Sequence, residues 1–215
     1  MFMNIPPYSQ RNILLGMCCI FAFFVIGTLV RDNTGFLFAL DTAVRNFFIS
    51  IHSPSLTGFM RWITTFGDGT PIYLTYGVGL FILAVLRQWK TATGMAIGIW
   101  IMNFLTVTMK EFFERGRPAD WLSDAGGWSY PSGHTTMTMI LYIFIAYAIF
   151  KHMKAGYVRN ILVTLPLAFA LLVGISRIYL SVHWLSDVYG GILLSSGIFF
   201  IIVGLFSLPC FAKKK

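Results

Sequence analysis

The hydrophobic positions of this chain fall into long unbroken runs divided by short polar stretches. The runs lie near 13–30, 70–86, 92–109, 134–150, 161–178 and 186–208. Each has the length, roughly 17 to 25 residues, that a helix needs to cross a ~30 Å hydrocarbon core. They predict an all-α bundle of six transmembrane helices. One long connection, from Arg31 to Gly69, carries a different pattern: Leu40, Val44, Phe47, Phe48 and Ile51 recur at helical spacing, with Asp41, Arg45 and Asn46 between them. That pattern predicts an amphipathic helix lying in the membrane interface between the first and second spans, broken at Ser53-Pro54. It could also describe a core helix of a soluble domain, but no other segment of soluble type exists to pack on it. No internal repeat, low-complexity tract or linker divides the chain, so one membrane-embedded domain over 1–215 is expected.

Composition strengthens the membrane reading. Hydrophobic residues make up 57% of the chain and charged residues 11%, against about 25% charged in a soluble domain. The first run resembles a signal sequence in position, but its apolar stretch is long and no small-residue cleavage site follows Val30, so it is expected to be retained. Cys18, Cys19 and Cys210 offer neither a disulfide framework nor metal-ligand spacing and read as packing residues.

A net charge of +8 could serve nucleic acid, but its distribution excludes that. With the N-terminus, alternate loops and the C-terminus on one side, that side holds Arg11, Arg87, Lys90, Lys151, Lys154, Arg159 and Lys213 to Lys215, and no acidic residue. The other side carries the remaining Arg and Lys residues with every Asp and Glu. The positive-inside rule then puts both termini in the cytoplasm.

Ionisable residues at membrane depth are costly and are candidates for function. Three clusters stand out. Lys110-Glu-Phe-Phe-Glu-Arg-Gly-Arg117-Pro118 closes the third run; on a helix, Lys110 and Arg117 would face one way and suit an anion. A solvated helix end with Lys110 paired to Glu114 is the alternative. Tyr130-Pro131-Ser132-Gly133-His134 precedes the fourth run. Ser132 fits an N-cap, Gly133 allows close approach to the backbone, and a helix start offers unpaired amides to an anion. An ordinary capped helix with an incidental histidine remains open. Between the fifth and sixth runs, His183 and Asp187 are spaced i, i+4, so the carboxylate can hold one imidazole nitrogen and leave the other free as base or nucleophile. A purely structural pair is the bland alternative.

The predicted topology puts all three clusters on one membrane face, although nothing in the local motifs requires it. Three strong cations, a helix start and two histidines in one place describe a phosphate site. No carboxylate pair is offered to a metal ion, and no cofactor is expected.

In order and spacing, Lys110 with Arg117-Pro118, then Pro131 to His134, then Ser176-Arg177 with His183 and Asp187 resemble the signature of the type 2 phosphatidic acid phosphatase family, also called the lipid phosphate phosphatase superfamily. Vanadium haloperoxidases and soluble acid phosphatases share that signature, and the membrane composition points to the integral-membrane branch. The resemblance implies that His183 is a nucleophile forming a phosphohistidine, that Asp187 orients it and that His134 protonates the leaving oxygen. It further implies that Lys110, Arg117, Ser132, Gly133 and Arg177 hold the phosphoryl oxygens. Arg115 and Glu111 fall outside the signature and are left out of the expected site. Similarity to bacterial members implies an inner-membrane enzyme facing outward that acts on phosphatidylglycerol phosphate, phosphatidic acid or undecaprenyl diphosphate. Trp121, Trp128 and Trp184 are aromatics of the interfacial kind, as a lipid substrate requires. A lipid phosphotransferase using the same phosphohistidine, or a non-catalytic phospholipid transporter, remain alternatives, the latter leaving His183 and Asp187 without a task.

Overall fold

The structure, a computed structural model, describes residues 6–208; Cys210 and Lys213 to Lys215 lie outside them. The described residues form helices joined by turns and loops, with no strand: α1 (Pro7–Val30), α2 (Gly35–Ser50), α3 (Pro54–Thr64) with a 3-10 turn at Thr65–Gly67, α4 (Gly69–Val85), α5 (Trp89–Phe113), α6 (Gly133–His152), α7 (Tyr157–Tyr179) and α8 (Leu185–Phe206). Five of them, α1, α5, α6, α7 and α8, are long and apolar enough to cross a membrane. The second predicted span is less simple: α4 reaches that standard only together with Pro54–Gly67, from which it is bent by 55°.

The sequence reading missed α3. Ser53-Pro54 ends one helix and starts another, because the Ser53 hydroxyl accepts the Leu56 amide at 3.3 Å and proline is tolerated in a first turn. The amphipathic segment is helical as expected, but α2 is turned the other way from a soluble helix. Its one buried residue is Asp41, while Phe36, Leu40 and Phe47 are exposed.

Close backbone approach holds the long helices together, as it must where lipid removes the hydrophobic drive between them. α1 runs against α8, and a Cβ at Gly16 would sit 2.8 Å from the Gly197 carbonyl. Toward one end of this pair, Phe23, Phe113 and Tyr130 pack as an aromatic cluster, and Tyr130 Oη donates to the Phe23 carbonyl at 2.7 Å. That bond ties the loop before α6 to the middle of α1. The start of α6 is tied to the start of α8 by the Ser132 amide, which donates to the Asp187 carbonyl at 3.1 Å. The 114–132 loop closes over the same end, its Leu122 amide donating to the Leu180 carbonyl just past α7. The ends of α5 and α7 and the beginnings of α6 and α8 therefore meet, as the alternation of spans requires.

Candidate active site

The last turn of α5 ends at Phe113 because Glu114 takes a left-handed conformation, φ 47°, while its amide still bonds the Lys110 carbonyl. Lys110 and Arg117 therefore do not share a helical face, contrary to the expectation from their spacing. Arg117 instead lies in the extended chain beyond the helix and returns to the same site. Its guanidinium is pinned by the carbonyls of Gly126, Gly127 and Val182 at 2.8, 2.9 and 2.6 Å. Burial lowers the Arg117 pKa and the Asp187 charge opposes that shift. Glu114 pairs with Arg31 at 3.7 Å rather than with Lys110. The Lys110 side chain makes no hydrogen bond to the described residues and lies within electrostatic reach of Arg117, Asp187 and Arg177.

His183 sits one residue before the N-cap of α8, not on the helix itself, and Asp187 is the third residue of that helix. One carboxylate does two tasks there. Asp187 Oδ2 accepts the Trp184 amide at 2.8 Å, fixing the helix start, and stands 3.2 Å from His183 Nδ1. The Ser129 hydroxyl also donates to Oδ2, at 2.5 Å. The pairing expected from i, i+4 spacing thus forms through a cap rather than along a helix. With Nδ1 so occupied, His183 presents Nε2 to Arg117 at 3.2 Å. The ring is almost fully buried, and burial pushes its pKa down to about 3, with Asp187 opposing and Arg117 and Arg177 reinforcing the shift. The imidazole is neutral at pH 7, and its Nε2 lone pair faces the Arg117 guanidinium.

Asp187 Oδ1 is held by Arg115, which sequence reasoning left outside the site. The Arg115 side chain is wholly buried and donates at 2.6 Å to Asp187, to Asp41 of α2 and to the Ser186 hydroxyl. Its guanidinium also stacks 5.6 Å from the Trp184 ring centre. Trp184 is buried and donates to the Gly116 carbonyl, so it belongs to this network and not to the interface aromatics; Trp121 and Trp128 are the exposed ones. The spacing of Arg115 gave no signal because its partners, Asp41 and Asp187, are 74 and 72 residues away.

On the opposite wall, α6 begins at Gly133. Ser132 occupies the N-cap position as expected, but its side chain caps nothing: the hydroxyl accepts a bond from Thr135 at 3.0 Å. The first intrahelical amide bond is from Thr136 to Ser132, which leaves the amides of the first turn without helical acceptors. A Cβ at Gly133 would meet only Thr106, at an ordinary 3.5 Å, so packing does not demand glycine there. His134 Nε2 lies 2.7 Å from Asp68 Oδ1, at the bend between α3 and α4, a carboxylate that the sequence reading did not single out. A side chain at Gly67 would collide with the His134 ring. Arg177, in the last turn of α7, donates to the Thr64 hydroxyl at 2.7 Å, while its buried Nε has no acceptor. Beside these residues opens a cleft of about 550 Å³, bordered by Thr64, Asp68, Trp121 and Asp124.

All eight expected site residues are therefore assembled at one end of the bundle. Arg115 is ion-paired with two carboxylates, whereas Lys110, Arg117 and Arg177 form no ion pair among the described residues; Arg117 bonds the oriented neutral imidazole, and Lys110 and Arg177 lie within electrostatic reach of Arg117 beside a helix start. Such a constellation can bind a tetrahedral anion and attack its centre. Among the described residues, no group of three or more His, Cys, Asp or Glu side chains could hold a metal ion.

The chain is similar to known proteins. The PAP2 superfamily model matches residues 87–208, which include all three clusters. Phosphatidylglycerophosphatase B of Bacillus subtilis is 32% identical over 191 residues, covering 86% of this chain and 92% of that protein. A putative undecaprenyl-diphosphatase, YbjG of Escherichia coli, is 28% identical over 54% of this chain and 57% of its own length. Among solved structures, the transmembrane PAP2-type phosphatidylglycerolphosphate phosphatase from Bacillus subtilis superposes with a TM-score of 0.76 at 28% identity, covering 88% of this chain and 94% of the other. Aquifex aeolicus LpxE gives 0.57 at 27% identity over 82% and 96%. The chain belongs to the PAP2 superfamily, as a multi-pass membrane phosphatase.

Proposed function

We propose that this protein hydrolyses a lipid phosphate or diphosphate at the outer face of a bacterial inner membrane through a phosphohistidine on His183. The observation that carries the reading is the neutral His183 imidazole, held at Nδ1 by Asp187 and bonded at Nε2 by Arg117, with Lys110 and Arg177 within electrostatic reach of that arginine. In the first step the Nε2 lone pair attacks phosphorus, the bond to the leaving oxygen breaks, and protonated His134 gives that oxygen its proton. Nδ1 keeps its hydrogen, so the phosphorylated ring is cationic and rests against Asp187. In the second step His134 takes a proton from water, the water oxygen bonds to phosphorus, and Nε2 leaves with the electron pair. The three cations, together with Ser132, Gly133 and the amides at the start of α6, neutralise the equatorial oxygens. No step calls for a metal ion, and full activity in chelator is expected.

The site lies at the ends of apolar helices, so a lipid can deliver its headgroup while its tail stays in the bilayer, avoiding about 0.8 kcal/mol per extracted CH₂. Two of the relatives named above carry phosphatidylglycerophosphatase and undecaprenyl-diphosphatase in their names, and the two lipids so named, with phosphatidic acid, form the substrate class proposed here. The outward orientation rests on the acidic residues, which all lie on the side away from Lys151 and Lys154. Phosphate release by the purified protein from a panel of lipid phosphates in mixed micelles tests the assignment: kcat/KM should rise steeply from short to long chains. A water-soluble sugar phosphate hydrolysed as well as the best lipid would overturn it. Single cysteines near Asp124 and Lys154 test the orientation, since only the first should react with an impermeant reagent from outside.

A further inference from the structure

Asp41 is the only buried residue of α2, a helix that exposes Phe36, Leu40, Phe47 and Ile49. Packing does not account for a carboxylate in that place. Its Oδ2 accepts Arg115 at 2.6 Å and the Ser186 hydroxyl at 2.5 Å, and its Oδ1 accepts the Ser186 amide at 2.9 Å. The same Arg115 holds Asp187 Oδ1, and Asp187 Oδ2 faces His183. Asp41, Arg115 and Asp187 are each no more than 1% exposed at the side chain. The buried triad thus sets two carboxylates against one guanidinium and keeps one negative charge in excess directly behind the imidazole.

A buried net charge is expensive unless something opposite completes it. Neutral His183 does not. The cationic phosphohistidine does, because phosphorylation at Nε2 leaves Nδ1 protonated beside Asp187. Lys110 and Arg117 feel the Asp187 charge, but neither is ion-paired with it, and in the complex the anionic substrate takes up their charge. We propose that Asp41 is a positioning residue that sets the charge of this triad, so that the site is completed electrostatically only when His183 carries the phosphoryl group. Without Asp41, Arg115 would neutralise Asp187 one for one, and the imidazolium would lose its unshared counter-charge. Stabilisation that appears only as charge develops is what speeds a reaction. Asp41 is thereby assigned a place in the phosphoryl-transfer step, although it touches neither substrate nor nucleophile.

The inference rests on the phosphohistidine reading above, and one experiment separates the two. The full chain in detergent is mixed with radiolabelled long-chain phosphatidic acid in single-turnover mode, and alkali-stable, acid-labile phosphoenzyme is quantified over time. Absence of such phosphoenzyme in the parent protein removes the reading and the inference together. If it forms, Asp41→Asn should slow its formation on the order of tenfold to a hundredfold, the range typical of outer-layer partners, with substrate affinity unchanged and Asp41→Glu restoring most of the rate. The double variant Asp41→Asn/Arg115→Gln guards against misfolding, because it removes both buried partners and keeps the single excess charge on Asp187. It should phosphorylate faster than Asp41→Asn and within about tenfold of the parent. A purely structural Asp41 would instead lower Tm and leave the rate per folded molecule unchanged in Asp41→Asn. That result, or a double variant as inactive as His183→Ala, overturns the proposal.

Discussion

The two histidines of this site live in different worlds. His183 is buried behind Arg115 and Asp187, whose side chains have no exposure at all, and every bond it makes is to a fixed partner. His134 keeps 20% of its side chain exposed, and its partner Asp68 keeps 48%, at the edge of the open cleft. The difference matches two different chemical tasks. A nucleophile gains from a dry, preorganised setting in which one nitrogen is held and the other is free. A group that must give a proton to a departing oxygen and then take one from water needs contact with both.

The predictions sharpen that contrast in order of expected size. Asp187→Asn should reduce phosphoenzyme formation the most, on the order of a thousandfold or more by analogy with other oriented histidines, because it removes the charged Nδ1 partner and with it the counter-charge of the phosphorylated ring. Pre-steady-state quench would measure it, and a loss below tenfold would mean that His183 is not oriented through Asp187. His134→Ala should lower single-turnover rates on alkyl phosphates by about 10² to 10⁴ and on aryl phosphates far less, since a good leaving group needs little protonation. Equal losses on both would remove His134 from the acid role. Asp68→Asn, on the open side, should cost alkyl phosphates only severalfold, because solvent can take over part of its work. The smallest expected effect is that of acid on His183, the proposed nucleophile. With its pKa pushed down to about 3, His183 protonates only as the pH approaches that value, so falling pH should leave it active from 7 to about 5. The test is phosphoenzyme formation on an aryl phosphate in the His134→Ala background. An acid limb centred near 6.5 there would show that His183 is not held neutral.

The same contrast explains how much could be read from the sequence. Five of the six expected spans were legible because lipid imposes one length and one composition on a crossing helix; the second reaches that standard only with the bent segment before it. The eight residues of the three clusters were legible because each cluster is short and spaced along one segment. What stayed hidden was what joins the clusters. Arg115 reaches Asp41 and Asp187 across more than seventy residues, and nothing in the intervening chain reports that distance. Asp68 is similarly remote from His134. Geometry inferred from helical spacing failed wherever the helix stopped early, as it does at Glu114 before Arg117, yet the side chains still converged because the loop carries them back. The inverted face of α2 was hidden for another reason. Beside a lipid phase the apolar side of an amphipathic helix can face outward, and its single carboxylate then points into the protein.

The most direct test of the account is the location of the covalent phosphate. Enzyme quenched in alkali during turnover of a radiolabelled long-chain lipid phosphate should carry one label on the peptide containing His183, chemically stable in base and lost in acid, and His183→Ala should carry none. Inorganic phosphate released at the parent rate by His183→Ala, or label found on His134 instead, would contradict it.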